Sequence, residues 1–97
     1  MLSWLDAKQA QEFGTSLARF FMEKLPLGFD AKEKKFAGKA QHVLQKMGQQ
    51  AEDFKRDHKL NTYKKAKLGN AFKWTLKDAG YDPVYVDELT EWLMLRL

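Results

Sequence analysis

Apolar residues recur at steps of three and four positions in four successive segments of this chain, which places them along one face of an α-helix in each segment. No segment shows the strict alternation of polar and apolar residues that is typical of a half-buried strand. The pattern therefore predicts an all-α fold, a compact bundle of four helices with short antiparallel connections. Because 97 residues can form a core without metals or disulfides, we expect a single helical domain over residues 1–97.

Proline and capping residues predict where the first two helices begin and end. The first helix is expected to begin near Ser3 or Asp6, either of which could cap it, and to be stopped by Pro26. Asp30, followed three residues later by Glu33, resembles a capping box and predicts the start of the second helix.

The second helix is predicted to be long, over about residues 31–58. At about 1.5 Å per residue it would extend roughly 40 Å. Gly38 and Gly48 each weaken a helix by about 1 kcal/mol relative to alanine. Gly48 is therefore the point at which a kink or break in this helix would fall.

The last two helices are joined by a short turn. Asn61 or Thr62 can cap the third helix, which is expected to end at Gly80. Asp82 then caps the fourth helix, with Pro83 at its first position. The core of the bundle is predicted to contain Phe13, Leu17, Phe20, Leu44, Met47, Phe54, Leu68, Phe72, Leu89 and Trp92.

The predicted third helix has apolar residues on two opposite sides. One side carries Leu68, Phe72, Leu76 and Ala79, and the other carries Tyr63 and Trp74 with Lys67, Asn70 and Lys77. The second side is either a recognition surface, with rings for stacking and lysines for phosphates, or a buried layer of the bundle. We favour burial, because large aromatic side chains usually belong to the core.

Charge is strongly divided along the chain. Residues 1–30 carry a net charge of −1, residues 31–77 carry +9 and residues 78–97 carry −4. The basic middle indicates either an external anionic partner or internal pairing with the acidic last helix. In the latter case the acidic side chains would pair with lysines such as Lys73 and Lys77, or face water.

Two groups of basic residues stand out within this middle region. The denser group surrounds the turn between the second and third helices and contains Lys55, Arg56, Lys59, Lys64 and Lys65. The other follows one side of the second helix and contains Lys32, Lys35, Lys39, His42 and Lys46. A solvated helix face is the commoner role for such a stripe, so we interpret the stripe as solvated.

The last turn of the chain spreads apolar residues around the whole helix. Trp92, Met94, Leu95 and Leu97 exceed what one buried face requires. Either this turn inserts between the other helices and closes the bundle, or it forms a homodimer contact. We favour closure of the bundle.

Catalysis finds little support in the residues. The chain has no cysteine, no glycine-rich phosphate loop and no isolated pair of carboxylates. His42 and His58 lie on different sides of one helix and cannot share a metal if that helix is continuous. We therefore expect a protein that is not an enzyme and has no cofactor and no metal site. No run of roughly 20 apolar residues and no signal segment is present, so we expect no membrane span and a cytoplasmic location.

The resulting prediction is a non-catalytic binding or accessory module whose basic middle meets an acidic protein surface. The alternative is sequence-tolerant nucleic-acid binding through residues 55–77, with Tyr63 and Trp74 stacking on bases. A weaker alternative is a homo-oligomer formed through the C-terminal helix. The candidate partner-binding residues are Lys55, Arg56, Lys59, Tyr63, Lys64, Lys65, Lys67, Trp74 and Lys77.

Overall fold

The computed structural model describes residues 4–28 and 34–97 and contains four α-helices. These are α1 Trp4–Lys24, α2 Lys34–Asp57, α3 Thr62–Asp78 and α4 Pro83–Met94. The described residues contain no strand, and the molecule measures 47 × 24 × 19 Å along its principal axes. The predicted all-α bundle of four helices is confirmed.

The most intimate packing in the molecule is between α1 and α3, which lie side by side and run parallel. Gly14 of α1 makes this approach possible, because a Cβ atom there would overlap the carbonyl oxygen of Leu68. The same Cβ would lie 3.2 Å from that of Ala71. The close approach of the two backbones leaves the side of α3 that faces away from α1 and α4 at the surface.

The turn from α3 to α4 follows the predicted capping residues. Gly80 adopts a φ of +100°, which favours glycine. Asp82 caps α4 by accepting a hydrogen bond from the backbone N–H of Tyr85 at 2.9 Å, and Pro83 occupies the first helical position. Helix α4 then returns antiparallel to α3, which brings Met94 over Gly69.

A buried tyrosine ties this turn to the end of α1. The hydroxyl of Tyr81 donates a hydrogen bond of 2.7 Å to the carbonyl oxygen of Leu25, 56 residues earlier in the chain. The Tyr81 ring also meets the edge of Phe21, with ring centres 5.7 Å apart. Pro26 follows directly after this contact, two residues beyond the end of α1, as predicted.

Helix α2 is a single helix of 24 residues that continues through Gly48 without interruption. Gly48 instead lies against side chains at and just after the end of α4, because a Cβ atom there would lie 3.4 Å from the Arg96 side chain and 3.8 Å from Trp92. Near its C-terminal end, Phe54 stacks on Phe13 of α1 with ring centres 4.2 Å apart. Helix α2 approaches α1 less closely than α3 does.

Of the predicted helix starts, the cap of α3 is confirmed and one of the two alternatives for α1 is wrong. Asn61 caps α3, as its side chain accepts from the N–H of Lys64 at 2.8 Å. Asp6 lies inside α1 rather than at its cap, so that alternative is wrong. Ser3 and the pattern from Asp30 to Glu33 lie outside the described residues.

The predicted core is confirmed, although five of its ten predicted members are only partly buried. Leu17, Met47, Leu68, Phe72 and Leu89 are buried, whereas the other five predicted members are partly buried and pack against them. Large buried side chains missing from the prediction are Phe21, Leu25, Leu76, Val86 and Leu93.

The end of the chain closes the bundle, as favoured from its sequence. Leu97 is buried, and Trp92 and Met94 are partly buried and pack against the core. Leu95 is 82% exposed. None of the described helices is both long and apolar enough to cross a membrane.

Candidate binding surface

Tyr63 and Trp74 lie at the surface, so the prediction that this side of α3 is buried is wrong. Tyr63 is 51% exposed and Trp74 is 52% exposed. The helix meets α1 and α4 through its opposite side, where Leu68, Phe72 and Leu76 are fully buried. That side is sufficient to hold α3 in the bundle, and about half of the Tyr63 and Trp74 side chains remains exposed.

Lysine ammonium groups lie beside both exposed rings. The Lys67 ammonium lies 5.6 Å from the centre of the Tyr63 ring. The ammonium groups of Lys73 and Lys77 lie 5.5 Å and 5.3 Å from the centre of the Trp74 ring. Such cation–π contacts hold positive charge beside an accessible aromatic surface.

A shallow groove between α1 and α3, here called the α1–α3 groove, runs past both rings. It consists of two open depressions of about 370 and 260 Å³. Tyr63 borders the first, Trp74 borders the second, and Gln11 and Lys67 line both. The remaining lining residues are Ala7 and Lys8 of α1 and Asn70 and Ala71 of α3.

The basic turn, defined here as Lys55, Arg56, Lys59, Lys64 and Lys65, joins α2 to the start of α3. Arg56 forms ion pairs of 3.2 Å with Asp53 and 3.5 Å with Asp57. The Lys64 ammonium donates a hydrogen bond of 3.0 Å to the carbonyl oxygen of Lys59. Arg56 is therefore partly neutralised, and Lys64 is held across the turn.

Two lysines of the basic turn occupy an unfavourable place in α3. The first turn of this helix contains Lys64 and Lys65 and no acidic residue. The N-terminus of a helix carries partial positive charge, which favours carboxylates and disfavours ammonium groups. The local sequence thus opposes helix stability at the point where the molecule concentrates positive charge.

The acidic last helix neutralises part of the basic middle, as one interpretation of the charge pattern required. Lys77 of α3 pairs with Asp87 of α4 at 2.8 Å. The Lys77 side chain is mostly covered, whereas the Asp87 carboxylate is largely exposed. Internal pairing thus accounts for Lys77 and leaves the two rings and the groove accessible.

The stripe on α2 points to solvent where it is described. Lys39, His42 and Lys46 are exposed. Lys32 and the side chain of Lys35 lie outside the described residues. We find no exposed aromatic ring beside the described part of this stripe.

Neither histidine belongs to a cluster of metal-binding residues. In the part of the chain that the structure describes, no three His, Cys, Asp or Glu side chains come together as metal ligands would. His58 has a structural position, since its ring stacks on Phe54 and its Nδ1 lies 3.1 Å from the Phe54 carbonyl oxygen.

Sequence reasoning missed the contribution of α1 to this surface. Lys8 and Gln11 line the groove only because α1 and α3 run parallel at close range, and no local pattern announces that contact. Lys73 was considered only as a partner for acidic residues. Its position directly before Trp74 in the sequence could have indicated that its ammonium group lies beside that ring.

Comparisons with known proteins identify no relative. No protein-family model matches the chain, and neither the curated proteins nor the solved structures include a match to it.

Proposed function

We propose that this protein is a non-catalytic binding module that binds a polyanionic partner through the α1–α3 groove and the adjoining basic turn. The observation that carries the proposal is the exposure of Tyr63 and Trp74, each about half accessible and each beside lysine ammonium groups. Large rings on a small protein are normally buried, and exposed rings framed by cations are typical of a recognition surface.

The charge distribution supports an anionic partner. Residues 31–77 carry a net charge of +9. Arg56 pairs with Asp53 and Asp57 within this region, and Lys77 pairs with Asp87 of α4. The lysines in the first turn of α3 lower the stability of the free helix. Local rules of this kind are most often violated at functional sites.

The competing homo-oligomer receives less support from the C-terminal helix. Three of its four apolar candidates, Trp92, Met94 and Leu97, already pack within the molecule. Single exposed apolar residues such as Leu95 are ordinary on monomeric proteins.

The proposal is tested by fluorescence anisotropy with two labelled polyanions, a single-stranded oligonucleotide and a polyglutamate peptide, at low and near-physiological salt. The variant Lys64→Glu/Lys65→Glu reverses two charges in the basic turn. Its matched control is Lys39→Glu/Lys46→Glu, which makes the same change of charge on the exposed side of α2.

We expect at least one polyanion to bind with an affinity that falls as salt rises, because binding releases counterions. The basic-turn variant should lose most of this affinity and the α2 variant should retain most of it. Absence of binding to both polyanions at low salt would refute the proposal. A greater loss in the α2 variant would place the site elsewhere.

A further inference from the structure

We infer that the polyanion is a single-stranded nucleic acid, with one base stacked on Tyr63 and another on Trp74 in the α1–α3 groove. The inference rests on the proposed function, since it names the chemistry of the partner at that same surface. It adds a requirement for bases, which a charged surface alone does not impose.

The spacing of the rings suits a strand that follows the groove. Tyr63 and Trp74 are eleven residues apart in one continuous helix, which is close to three full turns, so both rings point to the same side. Their Cα atoms are separated by roughly 16 Å along the helix axis. A flexible single strand can place two bases at this separation with intervening nucleotides between them.

The residues between the rings can bind the phosphate and the base edges of a nucleotide strand. Lys67 lines both depressions and can neutralise a phosphate between the two stacked bases. Gln11 and Asn70 place side-chain amides in the same groove, and an amide can both donate to and accept from a base edge. Amides of this kind accommodate any base, which favours binding that tolerates different sequences.

A base can stack on the Trp74 ring at a small cost in free energy. Lys77 is held by Asp87, so its position beside the ring is fixed. Among the described contacts, Lys73 makes the cation–π contact with this ring and no ion pair or hydrogen bond. Its ammonium group can therefore move toward a phosphate. Stacking then replaces one cation–π contact while the ammonium gains a charged partner.

The groove fits a protein partner or a duplex less well. The centre of a protein interface is depleted of lysine, whereas Lys67 lines both depressions between these rings, beside Gln11 and Ala71. In a duplex the faces of the bases are already stacked on each other, so rings on a helix surface cannot reach them. Exposed base faces are available in single strands.

The test compares three labelled ligands of equal length with the full chain: oligo-dT, an abasic deoxyribose-phosphate oligomer and a DNA duplex. Trp74→Ala and Tyr63→Ala each remove one half-exposed ring. The matched control is Val84→Ala, which removes exposed apolar surface on α4, away from the groove. Circular dichroism verifies that every variant is folded.

We expect oligo-dT to bind about 25-fold more tightly than the abasic oligomer, since stacking on two rings, each worth about fivefold, contributes only to the former. Trp74→Ala and Tyr63→Ala should each weaken oligo-dT binding about fivefold and leave abasic binding unchanged. Val84→Ala should change neither. Equal affinities for oligo-dT and the abasic oligomer, or oligo-dT binding unaffected by either ring deletion, would overturn the inference. The proposed function would survive that result, because charge-dependent binding of the abasic oligomer would remain.

Trp74→Phe supplies a second readout. Phenylalanine retains a stacking ring, so oligo-dT affinity should stay within about threefold of the original. Quenching of tryptophan fluorescence by oligo-dT should be strong in the original protein and lost in this variant. Quenching that persists at full strength would show that another tryptophan meets the bases and would overturn the assignment of Trp74.

Discussion

The helical glycines of this molecule differ in what a Cβ atom added to each would contact. Gly14 lies where the backbones of α1 and α3 meet, whereas nothing lies within 4 Å of a Cβ atom placed at Gly38. Gly69 is intermediate, because its nearest neighbour is the flexible Met94 side chain. The cost of adding one methyl group therefore depends on what the group would touch.

Gly14→Ala is expected to lower the free energy of unfolding by about 2 kcal/mol or more, since the added methyl group must separate two packed helices. Gly38→Ala should raise it by about 0.5 to 1 kcal/mol, because alanine is the better helix former and has open space there. Urea denaturation of both variants checks this. Equal destabilisation by the two would contradict the packing of α1 on α3 described above.

Tyr81 contributes stability that depends on pH. Burial raises the pKa of Tyr81 above its ordinary value of 10.0, so the fold favours the neutral phenol. Tyr85 behaves alike, with burial and then the charge of Glu88 raising its pKa. This contribution is complete below the unfolded-state pKa near 10 and is lost as pH rises through the folded-state values.

Tyr81→Phe should cost about 1 to 2 kcal/mol at neutral pH, because the carbonyl oxygen of Leu25 loses its buried donor. The same variant should lose less stability between neutral pH and pH values above 10.0 than the original protein does. Thermal denaturation over that pH range measures both effects. An identical alkaline loss in the variant would assign the effect to other groups.

At the scale of the helices, α3 combines a good cap with a poor first turn. Asn61 accepts a hydrogen bond from the Lys64 backbone, yet Lys64 and Lys65 put positive charge at the positive end of the helix. Such an arrangement is understandable if these lysines serve binding rather than folding.

Lys65→Glu is therefore expected to stabilise the free protein by about 0.5 kcal/mol while weakening its binding to polyanions. Lys39→Glu changes the charge equally but lies beyond the first turn of α2, so it should stabilise the protein less. Chemical denaturation and the anisotropy titration together give both quantities. A Lys65→Glu protein that is less stable than the original would show that Lys65 has a structural role.

Helices α2 and α3 differ in how firmly they are packed. The buried side chains of α2 include the small Ala40, Val43 and Ala51, and α2 approaches α1 less closely than α3 does. Helix α3 instead buries Leu68, Phe72 and Leu76 completely. Local opening requires less free energy where less apolar surface is buried.

Hydrogen exchange should therefore be faster in α2 than in the centre of α3 under native conditions. Mass spectrometry of peptides from Lys34–Asp57 and Thr62–Asp78 compares them directly. Uniform protection across both helices would mean that the molecule opens only as a whole, and that the looser approach of α2 has no dynamic consequence.

At the scale of the whole molecule, features that depend on local sequence were predicted better than features that depend on contacts between distant segments. Apolar spacing and capping residues such as Asn61, Asp82 and Pro83 predicted the helices, because caps and helix faces depend on neighbours in sequence. The burial of Tyr63 and Trp74 was predicted wrongly, since that depends on how many helices surround α3. Gln11 joined the site through a tertiary contact that its own segment does not encode.

The sequence also left two explanations for the basic middle, and salt can separate them in the free protein. If the positive charges mainly repel each other, screening should raise the melting temperature. If they are mainly paired inside the fold, screening should lower it. The Lys77–Asp87 pair favours the second outcome, but an exposed partner limits what such a pair contributes.

We expect the melting temperature to rise with sodium chloride from about 0.01 to about 0.15 M, as the Debye length falls from about 30 to about 8 Å. Affinity for a polyanion should fall over the same range if the cations that repel one another in the free protein also bind the proposed partner. The Lys64→Glu/Lys65→Glu variant should show a smaller rise, and Lys39→Glu/Lys46→Glu should show how much any loss of positive charge contributes. A melting temperature that falls with salt in the original protein would mean that the basic middle is satisfied internally, and the polyanion would then have no unpaired charge to bind.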